Sequence, residues 1–278
     1  MNKVKLTATE KKLLQIHVQS SLSEDCVKKD ITSSLLNKIE VSAVIIFKEE
    51  GVLCGIDWVN EVFKKVNSKI KIKWLYKDGD FIKKNKTVCI IKGNNKSILT
   101  AERTALNFLQ TLSGICSNIK KYQDQIKNKN IKLLYTRKIV PGWKYAIGNI
   151  CSLMCCKPHR SNLQESILIK ENHLKFIKNI EQYVRIAKKS KKLIIAEAKT
   201  LSELKLFNNL KLNRILLDNF TPNQVKKAVK LSKSTPIEIS GNITIKNIKN
   251  YAIKGVSFIS VGALTKNIHA LNISLLVR

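Results

Sequence analysis

No stretch of the chain approaches the run of about eighteen apolar residues that a membrane-crossing helix needs. The opening residues Met1 to Lys5 lead into polar, helix-like sequence without the apolar core of an export signal, so a cytoplasmic protein with no membrane partner is expected. Cysteine offers no disulfide framework: seven residues, at 26, 54, 89, 116, 151, 155 and 156, are odd in number and irregular in spacing, which points to reduced thiols. There is no CxxC pair, and the adjacent Cys155 and Cys156 can hardly face one ion, so the approach of Cys151, Cys155 and Cys156 to His159 reads as buried thiols rather than zinc ligands. His17, His173 and His269 have no evident partners. Acidic residues and arginine are scarce, with 20 acidic against 51 basic residues, six of them arginine, and a formal charge of +31. The lysines are strewn over the whole chain in runs of two or three, as at Lys28-Lys29, Lys83-Lys84 and Lys226-Lys227. A nucleic-acid-binding arm would be a block, so no specific nucleic-acid partner is expected.

What is present is an ordinary globular balance, 44% apolar and 26% charged, over 278 residues, enough for a sizeable core. Residues 4 to 22 carry Leu13, Leu14, Ile16, Val18 and Leu22 in a helix-like pattern. From 41 to 98 short alternating runs are broken by Gly51, Gly55, Asp78-Gly79 and Gly93-Asn94, which predicts strands, with a helix at Ile56 to Val66. A second helix is expected to begin near Thr100, with Thr100 as its cap.

The C-terminal part repeats a theme. Short apolar runs at Lys132 to Tyr135, Ile167 to Ile169, Leu193 to Ala196, Arg214 to Leu217, Pro236 to Ile239 and Phe258 to Val261 each read as a buried strand. The last four start 21, 22 and 22 residues apart, the length of one βα unit. Residues 138 to 142 hold no GxGxxG turn, which argues against an open dinucleotide-binding sheet and for an incomplete β/α barrel, with a possible seventh strand at Ile150 to Met154. Parallel neighbours would bring Arg137, Lys138, Lys170, Glu197 and Asp218 to one mouth, with Ser240-Gly241-Asn242 and Gly262-Ala263 opposite. Any one of these could be merely the solvated end of a strand. Together, three cations beside two carboxylates suit a phosphorylated anion clamped by Arg and Lys with Mg²⁺ on the acids, and the glycine turns suit a terminal phosphate.

Ordered along the chain are Glu24-Asp25 with Asp30-Ile31-Thr32, Gly51 to Gly55, Asp78-Gly79-Asp80, Thr100 to Phe108 and Leu112-Ser113-Gly114. These are followed by Thr136-Arg137-Lys138 with Pro141-Gly142, His159-Arg160, Leu168 to His173, Leu217-Asp218-Asn219, Glu238 to Gly241 and Ser260 to Thr265. In these blocks the chain resembles quinolinate phosphoribosyltransferase, the decarboxylating nicotinate-nucleotide pyrophosphorylase family. The resemblance implies transfer of phosphoribose from phosphoribosyl pyrophosphate to the ring nitrogen of quinolinate, releasing pyrophosphate and CO₂ and giving nicotinate mononucleotide in NAD biosynthesis. It implies an α/β fold: an open α/β sandwich over residues 1–108, with 268–278 packing back on it, and an incomplete barrel of about seven strands over 109–267. It also implies a homodimer in which Arg103 reaches into the neighbouring subunit's site. By motif, Thr136, Arg137, Lys138, His159, Arg160 and Lys170 would bind the carboxylates and phosphates. Glu197 and Asp218 would serve Mg²⁺, held largely through substrate, and the ribose hydroxyls, while Ser240, Gly241, Asn242 and Gly262 would take the 5-phosphate. The resemblance implies Lys138, Lys170, Glu197 and Asp218 as the catalytic set.

Departures from the family's pattern are local. Met154 to Pro158 stands where glycines usually precede the His-Arg pair, Ile139-Val140 replaces two threonines, and Ile195 replaces a glutamate. Lys29 replaces a glycine, and Lys266-Asn267 lies where His or Lys-His is common. They leave open a related phosphoribosyl- or glycosyltransferase with another acceptor, while the +31 charge alone motivates a polyanion-binding protein on an inherited barrel.

Overall fold

A computed structural model describes residues 6–128, 130–232 and 234–278. The chain divides into two compact units, one of residues 1–120, 140–154 and 268–278 and one of residues 121–139 and 155–267. Residues 4 and 5 of the expected first helix lie outside the described residues.

The first unit is built on strands β1 (Glu40–Phe47), β2 (Gly51–Val52), β3 (Lys71–Trp74), β4 (Phe81–Ile82) and β5 (Lys86–Asn94). The helix Ala8–Glu24 opens on a capping box: the Thr7 hydroxyl accepts from the Glu10 N–H, and Leu14, Val18 and Leu22, four residues apart, are its buried stripe. It packs on the helix Ile56–Val66, which has the bounds read from the sequence. The chain's last strand, Ile273–Val277, runs antiparallel to β1 and gives the order last strand, β1, β5, β3. With a neighbour on each side, β1 buries Ala43, Ile45 and Phe47 completely.

The long helix that begins in this unit corrects one expectation. It starts at Asn95 and runs to Gln125, so Thr100 is interior and caps nothing. Its hydroxyl donates instead to Asp30 Oδ2 at 2.7 Å, while Asp30 Oδ1 accepts from the Ser33 N–H at the head of the short helix Ile31–Ser34. Gly114 in the same helix is required by close approach, because a Cβ there would stand 2.0 Å from the His269 carbonyl oxygen.

The second unit is a parallel sheet of β6 (Lys132–Tyr135), β7 (Lys157–Pro158), β8 (Ser166–Ile169), β9 (Leu193–Ala198), β10 (Arg214–Asp218), β11 (Ile237–Ser240) and β12 (Val256–Val261). The order is β7-β6-β12-β11-β10-β9-β8, and the strand at the end of the chain is therefore β13. Among the described residues β7 and β8 do not pair, so the barrel is incomplete. Helices return the chain between strands, and Thr200 with Glu203 and Thr221 with Pro222 and Gln224 start two of them on capping boxes.

The seventh strand is not where the sequence suggested. Ile150 to Met154 ends the helix Lys144–Leu153 of the first unit, whose buried Ala146, Ile147, Ile150 and Cys151 have helical spacing. The actual seventh strand, Lys157–Pro158, is two residues long and carries proline, tolerated because the strand lies at an edge. Just before it Cys155 adopts φ 54°, the left-handed region that favours glycine.

Candidate active site

Side chains two apart on a strand share a face. On β8 this pairs Leu168 with Lys170 just beyond the strand, on β9 Ile195 with Glu197, and on β10 Leu216 with Asp218. On β11 and β12 it pairs Glu238 with Ser240, and Ser260 with Gly262. The register sets these pairs side by side, with Leu168 opposite Ile195, Leu216 opposite Glu197 and Asp218 opposite Ser240. The first members are buried. Leu168, Ile195 and Leu216 make an apolar cluster, which gives the Ile195 departure its physical role.

The second members border one cavity of about 820 Å³. Thr136, Arg137, Lys138, His159, Arg160, Lys170, Glu197, Asp218, Ser240, Gly241, Asn242 and Gly262, all expected from the sequence, line it. Lys266 and Asn267, at another departure, line it too. Arg103 does not: it is an exposed residue of the helix Asn95–Gln125 in the first unit.

Local contacts place each group. The Lys138 N–H donates to Thr136 Oγ1 at 3.2 Å and its carbonyl accepts from Thr265 Oγ1 at 2.8 Å, so its backbone is held from both sides. Gly262 leaves room for the Lys138 side chain, since an added Cβ would meet its Cδ at 3.3 Å. Lys170 Nζ lies 3.1 Å from Glu197 Oε2. The Lys170 N–H donates to His173 Nδ1 at 3.0 Å, a partner for His173 that the sequence did not reveal; His17 likewise accepts from Trp58 Nε1 at 3.2 Å.

Asn219, part of the block Leu217-Asp218-Asn219 but given no role by the sequence, ties the site together. It sits at φ 59°, donates its N–H to the Ser240 carbonyl at 2.9 Å and its Nδ2 to Asp218 Oδ2 at 3.0 Å, and accepts from Asn242 Nδ2 at 3.0 Å. The end of β10 is thereby tied to the glycine turn after β11.

The cavity lining carries charges of both signs. Burial, then the neighbouring Glu197 charge, raises the Asp218 carboxyl above its ordinary value against the pull of Lys199 and Lys170. Burial, then Arg137, lowers the Arg160 guanidinium. Glu197 and Asp218 are the acids that could share a divalent cation, and among the described residues no cluster of three His, Cys, Asp or Glu could hold one unaided. Any metal there must draw most of its oxygens from the ligand.

Behind the cavity lies Glu238, fully buried. Its Oε1 is 2.6 Å from His159 Nδ1 and accepts from Ser260 Oγ, and its Oε2 accepts from Arg214 Nη1 at 2.7 Å. Arg214 also lies 4.0 Å over the Phe258 ring. Burial opposes ionisation of Glu238, but the contacts from His159, Ser260 and Arg214 outweigh it and hold the carboxyl below its ordinary value.

A parallel, incomplete β/α barrel whose strand ends gather basic side chains, paired acids and glycine turns around one cavity defines an enzyme of the phosphosugar-handling class. The sequence profile of the quinolinate phosphoribosyl transferase N-terminal domain matches residues 30–113, and that of the C-terminal domain matches residues 115–276. The nicotinate-nucleotide pyrophosphorylase structure from Francisella tularensis is 39% identical, with a TM-score of 0.93 over 99% of this chain and 98% of that one. The chloroplastic nicotinate-nucleotide pyrophosphorylase [carboxylating] of Oryza sativa is 33% identical over 94% of this chain and 77% of its own. The probable nicotinate-nucleotide pyrophosphorylase [carboxylating] of Methanocaldococcus jannaschii is also 33% identical, over 93% and 95%. The chain belongs to the quinolinate phosphoribosyltransferase family.

Proposed function

We propose that the cavity is the active site at which quinolinate and phosphoribosyl pyrophosphate become nicotinate mononucleotide, CO₂ and pyrophosphate. The observation that carries this reading is the gathering of Arg137, Lys138, Arg160 and Lys170 with Glu197 and Asp218 around one hollow. Quinolinate is a dianion and its co-substrate is more highly charged still, so their encounter needs a cationic lining. Arg137, Lys138, His159, Arg160 and Lys170 hold the carboxylates and phosphates, and Ser240, Gly241, Asn242 and Gly262 take the 5-phosphate. Glu197 and Asp218 orient the ribose hydroxyls and would hold Mg²⁺, which when bound supplies charge neutralisation at the pyrophosphate. The ring nitrogen bonds to C1 of the ribose as the bond to pyrophosphate breaks. The nitrogen is then positive, so the electron pair left at C2 when CO₂ departs is stabilised beside it and takes up a proton. No separate base is required.

Incubation of the purified protein with both substrates and Mg²⁺ should release CO₂ and nicotinate mononucleotide in equal amounts. Silence of the wild type alongside an equally silent Lys138→Ala variant would remove the reading.

The same proposal includes a homodimer in which Arg103, exposed and outside its own chain's cavity lining, completes the partner's site. Arg103→Ala and Lys138→Ala, each inactive alone, should recover about a quarter of wild-type activity when dissociated and reassociated together, because half of the mixed dimers' sites carry neither change. No recovery despite demonstrated subunit exchange would overturn the shared site. Seven free cysteines support a cytoplasmic setting.

A further inference from the structure

We infer that Glu238 is a positioning residue that makes His159 a two-ended N–H donor, one end anchored in the protein and the other offered to a carboxylate of a planar dicarboxylic substrate. The inference rests on the proposed function for the identity of that substrate.

His159 and Glu238 have side chains 9% and 0% exposed, and their contact runs through Nδ1 alone. The ring's other nitrogen, Nε2, is buried and has no hydrogen-bond partner among the described residues, although His159 lines the cavity. A buried ring nitrogen without a partner beside a cation-lined hollow is a group whose partner is the ligand. Glu238 does not line the cavity, and of its partners among the described residues His159 and Ser260 do.

The direction of the proton follows from the donor inventory. Arginine can only donate, so Arg214 commits Oε2 of Glu238 as an acceptor. Oε1 accepts from Ser260 and faces Nδ1, so Nδ1 carries a proton and is the inner end of the ring. A second proton on Nε2 makes the ring a cation. That cation is compensated on the inside by Glu238 and faces, on the outside, a cavity whose remaining charged lining is Arg137, Lys138, Arg160, Lys170, Glu197, Asp218 and Lys266. A substrate carboxylate against Nε2–H then completes the pair. Such charge-assisted bonds are roughly twice as strong as neutral ones.

The same inventory states what Glu238→Gln does. Its amide oxygen must turn to Arg214, which puts the amide NH₂ against Nδ1. Nδ1 must then accept, and the ring keeps a single proton, on Nε2. The hydrogen bond to substrate survives without its charge.

The test combines ring-nitrogen NMR with kinetics on the full chain. The probe is phthalate, a dicarboxylate with no ring nitrogen to be ribosylated, and the His159 signals are identified by their loss in His159→Gln. In the wild type with phthalate both His159 nitrogens are expected to be protonated; in Glu238→Gln only Nε2. The KM for quinolinate should rise about tenfold in Glu238→Gln, with kcat and the KM for phosphoribosyl pyrophosphate changing less than about threefold. A singly protonated wild-type ring with phthalate bound overturns the inference. So does an unchanged KM for quinolinate, or a parallel rise in both KM values, which would mark a merely structural role. Should Glu238→Gln not fold, the wild-type ring decides. Absence of wild-type turnover would fail the proposed function, while the phthalate spectra would still judge Glu238.

Discussion

Lys138→Ala should lower kcat/KM by about 10³-fold while leaving the melting temperature within about 2 °C of the wild type. The reason lies in how the residue is held. Its backbone is secured by Thr136 and Thr265, neither of which depends on the ammonium group, and its stem lies beside Gly262, where an added Cβ would stand 3.3 Å from Lys138 Cδ. Truncation therefore removes a cation from the cavity without releasing the loop that presents Arg137. A single preorganised donor at a site of developing negative charge is worth about 10² to 10³ in rate, and the expected loss lies at the upper end because the departing group here is polyanionic. Steady-state kinetics beside a thermal melt checks both halves. Activity within tenfold of the wild type would remove Lys138 from the catalytic set.

Gly241→Ala should raise the KM for phosphoribosyl pyrophosphate about 10²-fold and destabilise the protein by roughly 1–3 kcal/mol. Gly241 is at φ 93°, where side chains are rarely tolerated, and the added methyl would stand 2.3 Å from Asn219 Oδ1 and 2.7 Å from the Asn219 backbone nitrogen. Asn219 cannot yield cheaply. Moving it breaks its bond to the Ser240 carbonyl, its acceptance from Asn242 and its hold on Asp218 Oδ2. One methyl thus disturbs the phosphate turn and the carboxylate across from it. Isothermal titration with ribose 5-phosphate, together with urea denaturation, separates the two effects; unchanged affinity for the phosphosugar would show that this turn does not bind it.

The strand ends were legible because a parallel array leaves a periodic trace: an apolar run, a polar residue, a helix, about 22 residues on. That pattern placed Lys170, Glu197, Asp218 and Ser240 at one mouth, and the cavity lining agrees. Partners from distant chain were not legible. His159 and Glu238 are 79 residues apart, and the only hint was a glutamate inside the apolar run Pro236 to Ile239. The two residues of the seventh strand, at an edge, carry no alternation that a sequence could show, and the short apolar run Ile150 to Met154 fits a buried strand or the end of a helix equally well. Thr100 reads as a cap because threonine ahead of an apolar helical run is a favoured N-cap residue, but its hydroxyl bonds Asp30 from inside a helix that begins at Asn95.

The face shared by alternate residues also governs how the gene can change length. Deleting one residue within β9 or β10 ahead of the acid, with the start of the strand held, would put Ala198 or Asn219 where Glu197 or Asp218 stands and turn the acids outward among the packed helices. Insertions in the connecting loops carry no such exchange. Length variation among functional descendants of this chain should therefore collect between the strands and spare them.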